Sequence, residues 1–128
     1  MVMIVMDVRF GSFISKKRIE KDISLRKMAE LLDISSSYLS DIEKGRRNPP
    51  SLDKITQISK ILNLSTADFH KALNLASEIK GEIPMDLSIY LQGNEVAIEA
   101  LRIAFKLESD GESDKVRKAW EGFIQSLL

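Results

Sequence analysis

Apolar residues recur at three- and four-residue intervals through most of the chain, the spacing of side chains that share one face of an α-helix. A first helix runs through Phe10, Ile14, Arg18 and Ile19, with Asp7 placed to cap it, Lys16, Lys17 and Lys21 on its polar face and an end near Asp22. Ser24 is the cap residue for a second helix over Leu25 to Leu32, in which Leu25, Met28 and Leu32 align and Ala29 lies beside them. After only Asp33-Ile34, Ser35 opens a third helix that turns Leu39 and Ile42 inward and stops at Gly45. Arg46-Arg47-Asn48-Pro49-Pro50 cannot continue it, because proline lacks an amide donor and restricts the residue before it. Ser51 then caps a fourth helix with Leu52, Ile55, Ile58 and Leu62 on one face, and Ser65 a fifth with Phe69, Leu73 and Ala76.

Beyond this run Gly81 and Pro84 punctuate a connecting segment, and Asp86 is placed to cap a short turn of helix ending at Gly93. Two more helices follow. The stretch Asn94 to Leu107 is apolar on a wide face that includes Ile98, Leu101 and Phe105. The last carries Val116, Ala119, Trp120, Phe123, Ile124, Leu127 and Leu128 at three-four spacing. The expected class is therefore all-α. Its divisions are an N-terminal extension at 1–7, a five-helix domain at 8–76, a linker at 77–93 and a helical segment at 94–128.

The 128 residues suffice for one proper core or two small ones. With 44% apolar and 30% charged residues the composition is that of a soluble globular protein. No cysteine is present, which excludes disulfides and thiolate metal sites and fits an intracellular, cytoplasmic place. The opening Met1 to Met6 is apolar but lacks a basic leader and falls short of the roughly 18 residues needed to span a bilayer. No signal and no membrane anchor are expected from it; it reads equally as a short strand, a frayed end or an over-long start. Net charge is zero, yet residues 1–75 carry 13 basic against 9 acidic side chains and residues 76–128 carry 6 against 10. That asymmetry points to a basic working half and an acidic half that faces solvent or a protein partner.

Two helices joined by three or four turn residues form a helix-turn-helix when a small side chain lets them approach, and Ala29 supplies one. The stretch Ser24-Leu25-Arg26-Lys27-Met28-Ala29-Glu30, followed by Ile34 to Gly45 and then by Asn48-Pro49 and Ser51-Leu52, resembles the Cro/cI-like, or XRE, helix-turn-helix family. The resemblance covers about half of the chain, residues 8 to 73. It implies a five-helix, lambda-repressor-like domain followed by a small C-terminal helical segment, with Leu25 to Leu32 across the DNA backbone and Ser36 to Lys44 in the major groove. It also implies an ion pair between Arg18 and Glu43, joining the first helix to the recognition helix. The chain departs from the family in two places. Asp33 stands where glycine is common, and aspartate tolerates left-handed geometry better than most residues. Leu25 replaces a frequent glutamine, which removes one side-chain phosphate contact.

The residues at the start of an inserted helix are those that reach base edges, so Ser36, Ser37, Ser40 and Asp41 are the base-facing candidates. The other reading of these serines, and of Ser35 before them, is a cap and solvated surface; Asp41 can accept from a cytosine amino group. Tyr38 either packs on sugar or a thymine methyl or shields the edge of the core. Arg26, Lys44, Arg46 and Arg47, with Asn48, are the phosphate-contacting candidates. An enzyme is not expected: His70 is the sole histidine, and neither a glycine-rich phosphate loop nor a nucleophile triad is present. No metal and no cofactor are called for. The function expected is a DNA-binding repressor acting as a homodimer on a palindromic operator, with Val116, Trp120, Phe123, Ile124, Leu127 and Leu128 as the dimerisation stripe. The alternative is the antitoxin of a toxin–antitoxin pair, whose acidic second half grips a protein while DNA binding serves autoregulation.

Overall fold

In a computed structural model, which describes residues 7–128, each serine expected to open a helix does so. Ser24, Ser35, Ser51 and Ser65 accept backbone N–H bonds from Lys27, Tyr38, Lys54 and Asp68 respectively, satisfying donors that the first turn of a helix leaves unpaired. The helices are α1 (Arg9–Glu20), α2 (Leu25–Leu32), α3 (Ser36–Glu43), α4 (Leu52–Ile61), α5 (Thr66–Lys80), α6 (Met85–Leu91), α7 (Glu95–Ser109) and α8 (Ser113–Leu127). Among the described residues there is no strand, so the fold is all-α. The chain divides after Ser88 into two compact units.

In the first unit α1 packs on α3 and α5, α2 on α3 and α4, and α4 on α5. Their shared core is Phe10, Ile14, Met28, Ala29, Leu32, Leu39, Ile42, Ile55, Ile58, Leu62, Ala72, Leu73 and Ala76, all close to fully buried. This is most of the apolar set that the spacing picks out, with Ala72 added and with Leu25, Leu52 and Phe69 half-buried at its edge; one member of the series lies outside it. Ile19 is 64% exposed, because at 3.6 residues per turn it lies about 180° around α1 from Phe10.

Three local expectations are corrected. Asp7 is not the N-cap of α1: that position is Val8, without a side-chain cap. Instead the Asp7 carboxylate accepts the Arg9 backbone N–H at 3.0 Å and also holds the Arg9 guanidinium, which reaches Glu78 of α5 at 2.9 Å. The segment 77–93, expected as a linker, is largely helical. Ala76 and Ser77 remain in the core, so α5 continues to Lys80 until Gly81, at φ 67°, ends it. Asp86 lies inside the first turn of α6 and does not cap it; Pro84 precedes that helix, and its carbonyl accepts the Ser88 N–H. The opening residues 1–6, whose reading was left open above, lie outside the described residues.

In the second unit α7 packs against α8. Asn94 caps α7 by accepting the Ala97 N–H at 3.1 Å, and Gly111, at φ 88°, makes the turn. Val116 is buried, whereas Val96, Leu101, Ile103, Phe105, Phe123, Ile124, Leu127 and Leu128 are exposed.

Gly11 sets how closely α1 can approach α3. A β-carbon there would collide with the backbone carbonyl oxygens of Ile42 and Glu43. Alanine is the better helix former by about 1 kcal/mol, yet Gly11→Ala should destabilise the domain by roughly 1–3 kcal/mol, the usual cost of overpacking. A rise in thermal midpoint would show that α1 and α3 have room to spare.

Candidate nucleic-acid interface

Three residues, Asp33, Ile34 and Ser35, separate α2 from α3. Asp33 adopts the left-handed conformation at φ 57° and ψ 45°, the geometry expected of it where glycine is common. Ile34 N–H bonds back to the Ala29 carbonyl at 3.0 Å, and Ala29 itself is 1% exposed, within the core. A contact that the sequence did not disclose tightens this turn. Lys54, on α4, donates from Nζ to the Leu32 carbonyl at 2.6 Å, placing a cation at the negative end of α2.

The rotation of α3 is set from α1. Arg18 donates from Nε to Glu43 Oε2 at 2.8 Å and from Nη2 to Oε1 at 2.9 Å, while Nη1 reaches the Ile23 carbonyl at 2.9 Å. The pair is largely removed from water, with side-chain exposures of 13% and 7%. Hydrogen bonding to Glu43 holds the Arg18 guanidinium above its ordinary pKa despite the opposing effect of burial. The ion pair implied by the family resemblance is therefore present.

With its rotation so fixed, α3 leaves its first turn accessible to solvent. Ser35, Ser36 and Ser37 are exposed; Tyr38, Ser40 and Asp41 are half-buried. The chain leaves α3 through Gly45 at φ 75°, and the Arg46 N–H closes on the Asp41 carbonyl at 2.8 Å. Pro49 and Pro50 are then buried. The exposed Arg46, Arg47 and Asn48 are thus carried on a short loop fixed at both ends, next to α3. Lys44 is exposed at the C-terminus of α3, and Arg26 is exposed on α2, where it lies 3.7 Å from Glu30.

Asp41 is not solitary, which sequence spacing alone did not show. Its carboxylate lies 3.7 Å from Arg46 Nη1 and 3.9 Å from Arg47 Nε, and the Arg47 guanidinium sits 5.0 Å from the centre of the Tyr38 ring. The signal for this cluster was the loop's sharp return, written in Gly45 and the two prolines. His70 is exposed at the surface of α5. Among the described residues no group of three acidic or histidine side chains is placed to hold a metal ion, and no helix is long and apolar enough to cross a membrane.

The Arg18–Glu43 clamp yields a direct test. Glu43→Ala strands a mostly buried guanidinium and should cost about 3 kcal/mol, whereas Arg18→Met with Glu43→Leu, which removes both charges, should cost far less. Denaturant unfolding of the two variants distinguishes them; equal losses would mean that the pair contributes packing volume and not charge compensation.

The helix-turn-helix family model matches residues 14–69. Control protein C.BamHI of Bacillus amyloliquefaciens is 42% identical over 60 residues, which make up 46% of this chain and 73% of that protein. An uncharacterized HTH-type transcriptional regulator of Mycobacterium tuberculosis is 30% identical over 94 residues, or 70% of this chain and 66% of its own length. The crystal structure of SinR, the master regulator for biofilm formation, in complex with DNA shares 34% identity, covers 50% of this chain and 97% of that one, and superposes with a TM-score of 0.44. The chain belongs to the XRE-type helix-turn-helix family of DNA-binding transcriptional regulators.

Proposed function

We propose that this protein is a cytoplasmic transcriptional repressor that binds a palindromic operator as a homodimer. The observation that carries the reading is the exposed first turn of α3, flanked by cations on a loop fixed by Gly45 and two buried prolines. In this reading α3 enters the major groove. Ser36, Ser37, Ser40 and Tyr38 meet base edges and the thymine methyl or sugar, with Ser35 and Asp41 at the margins of the contact. Arg26, Lys44, Arg46, Arg47 and Asn48 hold phosphates, which supply most of the affinity and set the register. Serines discriminate bases weakly, so much of the selectivity falls to the placement of two copies and to the shape of the duplex. Occlusion of the promoter is the simplest route from such binding to repression.

Doubling is assigned to the second unit. Val116 is its one buried hydrophobic residue among those described, while Phe123, Ile124, Leu127 and Leu128 remain exposed beside a partly covered Trp120. Val116, expected on the same stripe, is buried within the single chain. A segment of this length, without disulfides or metal, needs a partner surface to be stable by itself, and a second copy of the same segment supplies one with the symmetry that a palindrome requires. A small basic protein on the same face is the antitoxin alternative. Its specific support is the acidic character of residues 76–128.

Duplexes selected from a random pool should contain two inverted half-sites about one DNA turn apart, each occupied by one chain. Phe123→Asp with Leu127→Asp should yield a folded monomer in analytical ultracentrifugation and lose most affinity for that duplex. Failure to enrich any sequence would contradict the DNA reading. A wild-type monomer that co-purifies with a basic protein would replace the homodimer with the antitoxin.

A further inference from the structure

The four side chains where α3 meets the following loop form one cluster. Tyr38 and Asp41 are three positions apart and so share a face of α3. The loop reverses at Gly45 and brings Arg46 and Arg47 back over that face. Asp41 holds Arg46 twice, through its carbonyl to the backbone N–H at 2.8 Å and through its carboxylate to the guanidinium at 3.7 Å. Arg47 is placed between the same carboxylate, at 3.9 Å, and the Tyr38 ring, at 5.0 Å.

We infer that Asp41 is a specificity-determining positioning residue: its carboxylate docks Arg46 and Arg47 against the recognition helix, so that they act in register with α3 and not as free surface cations. This rests on the DNA-binding reading above. Side chains as long as arginine, 57% and 58% exposed here, would otherwise sweep a wide volume and pair with phosphate wherever the helix lay on the duplex. Docking restricts them to phosphates that fit when α3 is seated. The carboxylate also offsets part of their charge, which weakens contact with DNA of arbitrary sequence more than contact with a site where the α3 side chains add their own bonds. A base-reading aspartate would instead leave the arginines to themselves and alter preference at one base pair.

The test is a mutant cycle with two readouts. Asp41→Asn keeps the shape and removes the charge. It should raise affinity for a random-sequence duplex by roughly three-fold or more and lower the ratio of selected-site to random binding. In the Arg46→Ala, Arg47→Ala background the same substitution should change neither quantity, because the arginines through which it acts are gone. A preference change at one base pair that persists without the arginines would overturn the proposal, as would an Asp41→Asn variant indistinguishable from wild type. A DNA-free arm separates failure here from failure of the functional reading. Nitrogen-15 relaxation at the Arg46 and Arg47 Nε positions should show greater mobility in Asp41→Asn than in wild type; equal mobility overturns the docking whether or not the protein binds DNA.

Discussion

Arg18 and Glu43 belong to different helices, are nearly withdrawn from solvent, and meet through two guanidinium nitrogens and two carboxylate oxygens at 2.8 and 2.9 Å. An apolar contact in that place would tolerate slippage of α3 about its axis. A bidentate pair does not, because small rotations leave one charge unpaired where water cannot replace the partner. Gly11 permits the geometry by letting α1 come against the carbonyls of Ile42 and Glu43, and Arg18 extends the hold to the Ile23 carbonyl just before α2. Fixing Glu43 fixes the rotation of α3 about its axis, and with it the direction in which Ser36, Ser37 and Ser40 face.

The two units solve the problem of burial differently. The first closes five helices around a shared core whose members are nearly all inaccessible to solvent. The second has two fifteen-residue helices and a single buried hydrophobic side chain, with large apolar groups left in water. Exposure of that kind is characteristic of an interaction surface. Under the proposed function the division has a purpose, since a rigid reader and a pairing surface answer to separate constraints.

Much of the first unit was readable from the chain because its signals are local. Serine caps, three-four spacing and the proline pair each act within a few residues, and all four caps hold in the structure. Spacing also marked Ile19 as a member of the apolar series, although its angle around α1 turns it outward. Two of the contacts that escaped notice join residues distant in sequence, Lys54 with the Leu32 carbonyl and Gly11 with the end of α3; the third, the arginine pair with Asp41, depends on how sharply the loop returns. No periodicity announces these, because a lysine or aspartate on a polar face looks the same whether it meets solvent or a carbonyl. The short helix before Gly93 was legible, but the extension of α5 to Lys80 was hidden for a related reason: Gly81 and Pro84 do end and begin helices there, yet local signals do not say that Ser77 is still in the core.

The central claim is that the first turn of α3 and the loop that follows the helix form the surface that meets DNA, while the Arg18–Glu43 clamp stays intact. Titrating nitrogen-15-labelled protein with a duplex selected from a random pool and following its amide resonances tests this directly. The account predicts that the largest shifts fall on residues 35–41 and 44–48, with the Arg18 side-chain resonance retained in its paired position. Shifts concentrated on α5 or on the second unit, with residues 35–48 unmoved, would contradict it.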